Sequence, residues 1–171
     1  YYVIDEARRK RATMIFNLSG HVYAFDSTTI DLCLAVFWWA TFRKHKGGVK
    51  VHTLFDVETQ IPAFFLVTAA SVHDVNVMDA IPYEIGTYYI FDRAYDDFKR
   101  LYHIHQIGAY FVIRAKDNIC YEITKWKRRM PKNVRSDVRI YLTGYYSSKR
   151  YPEELRMVRY WDEEQGREFV F

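Results

Sequence analysis

Two aspartates stand where apolar runs give out. In Thr87-Tyr88-Tyr89-Ile90-Phe91-Asp92 the aromatic and apolar residues predict a buried strand closed by a carboxylate. Asp96-Asp97-Phe98-Lys99-Arg100-Leu101 then predicts the start of a helix. His21-Val22-Tyr23-Ala24-Phe25-Asp26 alternates, which predicts a second strand that also ends in Asp. In open α/β sheets, function gathers where strands end and helices begin. A carboxylate at such a point can hold a metal ion or a ligand. It can also cap: Asp is a favoured N-cap, and for Asp92 or Asp96 taken alone, capping is the simpler reading.

The elements around these residues follow from periodicity. Asp31 could cap an apolar run, Leu32 to Phe42, that reads as helix and whose Trp38 and Trp39 suit core packing. Gly47-Gly48 predicts a turn. Val49 to Phe55 alternates as a half-buried strand, Asp56 to Gln60 has hairpin length, and Ile61 to Thr68 predicts a third strand with Pro62 at its start. These three strands form an antiparallel meander. Ser71-Val72-His73-Asp74 opens a short helix ended by Pro82. There His73-Asp74 reads as a cap in preference to a supporting pair beside a site. After the strand to Asp92 come a helix over 94–106, a C-cap at Gly108, and a fifth strand, Ala109 to Arg114. Strands over 138–142, 155–161 and 167–171 follow, with Asp162 to Gly166 as a hairpin turn.

The chain has 171 residues, enough for one domain with a core or a domain plus an insertion. Its net charge of +4 favours an acidic partner such as nucleic acid. Cys33 and Cys120 make neither a disulfide framework nor a zinc site, which fits a reducing cytosol. No apolar run is long enough to cross a bilayer, so no membrane partner is expected. The chain opens on Tyr1-Tyr2-Val3-Ile4 and closes on Phe169-Val170-Phe171. An end inside an apolar run is unusual, which leads us to expect a piece of a longer protein.

A meander followed by a helical crossover can set the strand ending at Asp92 beside the strand ending at Asp26, parallel to it. Neighbouring strands lie about 4.8 Å apart, so the two carboxylates become neighbours. Two such charges repel unless a cation lies between them. Mg²⁺ is bound by one or two carboxylates plus substrate phosphates, and a pair of such ions supports phosphoryl transfer.

The sequence resembles the DDE transposases of bacterial insertion sequences. The likeness rests on Tyr23-Ala24-Phe25-Asp26-Ser27-Thr28-Thr29-Ile30-Asp31, Gly48-Val49-Lys50-Val51-His52, Ser71-Val72-His73-Asp74 and Phe91-Asp92-Arg93-Ala94-Tyr95, in that order. It spans roughly residues 20–171. The resemblance implies an α/β, RNase H-like mixed sheet (a three-strand meander plus parallel strands with helices), followed by part of a β-rich insertion. It divides the chain into an N-terminal segment of uncertain role (1–20), a catalytic core (21–116) and a truncated basic insertion (117–171). It makes Asp26 and Asp92 the first two catalytic acids, holding Mg²⁺ or Mn²⁺, in a bacterial, nucleoid-associated enzyme acting on transposon ends and target DNA, usually as a dimer. The third acid of this group is a Glu in a helical Tyr-x2-Arg-x3-Glu-x6-Lys motif, and residues 1–171 contain no such spacing.

Around the acids, Lys50 and His52 share one side of their strand, facing DNA or solvent. Arg93 could reach a phosphate with its forked guanidinium. Six of the eleven residues from Lys125 to Arg135 are basic, which makes Lys125, Lys127, Arg128 and Arg129 the strongest phosphate contacts, with a solvated loop as the competing reading. Trp126 and Trp161 suit packing more than base stacking. Arg8-Arg9-Lys10-Arg11 reads as a solvated helix face. Three functions remain compatible with these residues: a transposase core, an RNase H-like nuclease or resolvase, and a DNA-binding remnant without chemistry.

Overall fold

The structure, a computed structural model, describes residues 2–10, 16–32, 41–43 and 46–171. Its elements in order are α1 (Tyr2–Lys10), β1 (Val22–Leu32), β2 (Thr41–Arg43), β3 (Lys46–Asp56), β4 (Ile61–Ala69), α2 (Asp74–Val77), β5 (Tyr88–Phe91), α3 (Phe98–Ile107), β6 (Tyr110–Ile113), β7 (Tyr121–Trp126), β8 (Val134–Leu142), α4 (Ser147–Arg150), β9 (Leu155–Asp162) and β10 (Arg167–Val170). Single 3₁₀ turns follow α2, at Met78–Ala80, and β5, at Arg93–Tyr95. The fold is a β-rich α/β mixture built on two sheets.

The first sheet has six strands in the order β2-β3-β1-β5-β6, with β4 also on β3. The predicted meander is present: β1 pairs antiparallel with β3, and β3 with β4. The parallel half is present too, with β5 between β1 and β6. Alternation decides what is buried. Tyr23 and Phe25 of β1, Leu54 of β3, and Tyr89 and Phe91 of β5 point to one face, where Tyr95 and the α3 residues Leu101 and Ile104 cover them. Phe25 meets Phe91 and Tyr95 edge-on, with centroids 6.1 and 5.2 Å apart.

α3 shows how local chemistry sets a boundary. The Asp97 carboxylate accepts from the Lys99 and Arg100 N–H groups and so caps the helix, a contact worth about 1 kcal/mol. Gly108 ends it in the left-handed region at φ 84°, as its sequence position predicts. The expected start at residue 94 is four residues early, because Arg93–Tyr95 closes a separate turn first.

Other boundaries also move. Gly47 and Gly48 are not a turn but pair inside β3 with Leu32 and Asp31, so Asp31 lies in a strand. Residues 41–43 are extended, not helical. Residues 33–40, with Cys33, Trp38 and Trp39, lie outside the described residues, as does Arg11. α1 gives the basic run Arg8 to Lys10 its helix.

The second sheet is an antiparallel meander, β10-β9-β8-β7. Sequence periodicity predicts no strand over β7 or over Val134 to Asp137, where β8 begins. Val138, Ile140, Leu142 and Met157 join Tyr151, just after α4, in the same core cluster as Leu101 and Ile104, so apolar packing runs unbroken from one sheet to the other. Tyr151 Oη and His105 Nδ1 are hydrogen-bonded at 2.7 Å across this seam, and the Ala115 N–H donates to the Val170 carbonyl at 2.8 Å. Among the described residues, no helix is long and apolar enough to cross a membrane.

Candidate active site

The two aspartates are brought together by strand register. β1 and β5 pair in parallel with Tyr23 opposite Tyr89 and Phe25 opposite Phe91. All four rings are buried. Asp26 and Asp92 come next on each strand, so both fall on the opposite side of the sheet, and both are exposed. Each is held in the same way. Asp26 Oδ1 accepts from the Ser27 N–H at 2.8 Å, and Asp92 Oδ1 from the Arg93 N–H at 2.6 Å. Among the described residues, nothing engages the second oxygen of either. One detail differs from expectation: Asp26 is not at a strand end. β1 continues to Leu32, and what stops after Phe25 is its pairing with β5.

Tyr95 lies beneath the pair. Its hydroxyl is buried and its pKa is pushed up to about 12, first by burial, with the Ser27 hydroxyl opposing and the carboxylates of Asp74, Asp26 and Asp92 adding to the rise. Three acids therefore act on one phenol. Asp74 is the member that sequence patterning assigned to capping, yet α2 has no side-chain cap. Its carboxylate instead accepts from Ser27 Oγ at 3.1 Å and pairs with Lys50 Nζ at 3.1 Å.

Lys50 and His52, expected to face DNA or solvent, turn to this same carboxylate. Lys50 Nζ also donates to the Val72 carbonyl at 2.9 Å. His52 is 0% exposed, bonded through Nε2 to Thr68 Oγ1 at 2.9 Å, with Nδ1 3.8 Å from Asp74. Burial holds its pKa below the ordinary value, with Asp74 opposing and Lys50 adding to the effect. The shared parity of Lys50 and His52 was legible. That this side is the covered one was not, because it depends on α2 packing over it.

Asp92 does cap, but only the 3₁₀ turn at Arg93–Tyr95. The α3 cap is Asp97, and Asp96 is a buried carboxylate paired with Lys116 Nζ at 3.4 Å. Arg93 is exposed beside Asp92, in an open depression that Lys116, Asp117 and Asn118 also line. Lys125, Lys127, Arg128 and Arg129 are all exposed around the β7–β8 hairpin, on the second sheet. Trp126 there is 66% exposed, so packing does not account for it. Trp161 is covered by the Arg135 guanidinium, 4.4 Å from its ring.

A protein of Sinorhizobium fredii that carries the name transposase y4zB is 31% identical over 103 residues, 60% of this chain and 29% of its own length. A protein of Geobacillus stearothermophilus, named for transposition of insertion sequence element IS5377, is 33% identical over 94 residues, 55% of this chain and 25% of its own. The matched stretch is thus under a third of either relative. The piggyBac transposase in a synaptic complex with hairpin DNA aligns with 88% of this chain and 32% of its own, at 11% identity and a TM-score of 0.47. Residues 18–167 match the family described as the transposase DDE domain, and the chain belongs to that family.

Proposed function

We propose that Asp26 and Asp92 are the first two acids of an RNase H-like, metal-dependent site that cuts and joins DNA strands during transposition of an insertion sequence. The observation that carries this reading is the register: Phe25 opposite Phe91 sets two exposed carboxylates side by side on parallel strands. The donor set suits Mg²⁺ or Mn²⁺. It is all oxygen, anionic and open to solvent, and each carboxylate keeps one oxygen uncommitted among the described residues. Held by Asp26 and Asp92, such an ion would supply a Lewis acid for a phosphoryl oxygen and would make an attacking water or hydroxyl more acidic.

The chain's own residues do the positioning. The Ser27 and Arg93 N–H groups fix the carboxylate rotamers. Asp74, held by Lys50 and Ser27, adds negative field behind the pair. Arg93 offers a cation to the DNA strand. Among the described residues, no third acid or histidine completes a metal-binding group. We assign that role to a Glu outside residues 1–171, with 117–171 as part of a β-rich insertion between second and third acids. The working enzyme acts as a dimer on paired transposon ends.

Mn²⁺ binding by the 171-residue chain tests this, followed by electron paramagnetic resonance. We expect one weak site, lost in Asp26→Asn and in Asp92→Asn, each of which keeps the shape of the side chain and removes its charge. Unchanged Mn²⁺ affinity in both variants would sink the assignment.

A further inference from the structure

We propose that Lys116, with Arg93, forms a phosphate-binding site beside Asp92 that receives a backbone phosphodiester of the DNA strand. This rests on reading Asp92 as a catalytic acid and adds a residue that sequence patterning did not single out.

Three observations meet here. First, the register Phe91 opposite Ile113 ends β5 and β6 at the same edge of the sheet. The loop after β6 therefore arrives next to Asp92, and the two loops enclose an open depression of about 480 Å³. That lies in the range of small-ligand sites. Second, the depression is walled by two cations, Arg93 and Lys116, with the Asn118 amide as a further donor. Asp117 is the one carboxylate set against them beside Asp92 itself. Third, among the described residues the Asp96 side chain engages only Lys116. It is 6% exposed, its carboxylate accepts from no helix N–H, and its partner is the Lys116 ammonium at 3.4 Å, whose side chain is 45% exposed.

A buried carboxylate is costly, and burial raises its pKa; Lys116 acts against this. The pair thus anchors a flexible stem in a place the chain could have left apolar. Because Asp96 follows Asp92 in the same segment, acid and cation are fixed relative to each other. An ammonium has three donors, so one contact to Asp96 leaves donors for a phosphate oxygen.

The test is binding of a short DNA duplex to the 171-residue chain over a salt series. Each phosphate contact contributes about 0.9 to the slope of log K against log salt. We expect Lys116→Gln to lower the slope by about that amount and Lys116→Arg to keep it. Lys116→Gln alone strands the buried Asp96, so Asp96→Asn with Lys116→Gln serves as the control that removes both charges. That double variant should also have the shallower slope. A wild-type slope in the double variant overturns the proposal, as does a wild-type chain that does not bind the duplex. The two readings fail separately: Mn²⁺ binding that survives Asp92→Asn overturns the acid assignment, whatever the slopes.

Discussion

At the scale of single residues, the closeness of Asp26 and Asp92 was legible because each follows an aromatic run on strands that a helical crossover sets side by side. Asp74 was not. Its neighbours in sequence, Ser71 and Pro82, bracket a short helix and make capping the natural reading. Its true partners, Ser27, Lys50 and His52, come from strands 22 to 47 residues away. The same network yields a prediction about pH. His52 is buried, and its pKa is lowered mainly by that burial. The unfolded chain takes up a proton near pH 6.5 that the folded chain accepts only at lower pH. Between those values the unfolded state holds more protons, so stability is full above pH 6.5 and falls as the pH drops through it. We expect the urea midpoint to decline from pH 7.5 to 5.5, with part of that decline absent in His52→Gln. An equal decline in the variant would mean that other groups carry it.

At the scale of elements, the meander, β5, α3 and β6 were read from periodicity, and their boundaries shift by a few residues where tertiary pairing wins. Gly47 and Gly48 show why. Paired glycines signal a turn locally, but a long β1 offers them ladder partners, and the strand runs through. Conversely, Gly108 was legible because its requirement is local. At φ 84° a residue with a Cβ is strained, although the space is adequate: a Cβ would lie 3.5 Å from Ile85 Cγ2. Gly108→Ala should therefore cost about 1–2 kcal/mol through backbone strain alone. Asp97→Ala should cost about 1 kcal/mol by removing the α3 cap. The two act at opposite ends of α3 and share no partner, so their costs should add in a double variant. Equilibrium urea unfolding measures all three, and a marked departure from the sum would show that the ends of α3 are coupled.

For the molecule as a whole, the sequence announced a change of composition near residue 117 but not how the parts join. The structure answers with packing: Tyr151, between β8 and β9 of the second sheet, joins the core of the first and is bonded to His105. Tyr151→Phe should cost about 0.5–1.5 kcal/mol for that hydrogen bond. Tyr151→Ala should cost about 3–5 kcal/mol, as a buried aromatic does. If the shared core couples the sheets, near- and far-ultraviolet circular dichroism should report one coincident unfolding transition for the wild type. Two separated transitions would show that the seam contributes little.

The same sheet carries the outermost charges, and these set the last expectation. Lys125, Lys127, Arg128 and Arg129 crowd a hairpin with little opposing charge. Lys127 lies 3.3 Å from Asp137, but Arg156 already takes both oxygens of that carboxylate at 2.7 Å, so the Lys127 ammonium keeps donors to spare. Like charges held this close favour an anionic partner, because the partner relieves their repulsion while its own counterions are released. If all four touch phosphates, replacing them together with Gln should lower the salt slope of DNA binding by about 3 to 4, at about 0.9 per contact. Affinity should fall for every duplex sequence alike, since phosphates carry no sequence information. Weak Mn²⁺ binding at Asp26 and Asp92 should be untouched, because those acids lie on the other sheet. A slope that stays at the wild-type value would show the hairpin to be a solvated tip, and would leave Arg93 and Lys116, beside Asp92, as the cations that meet the DNA.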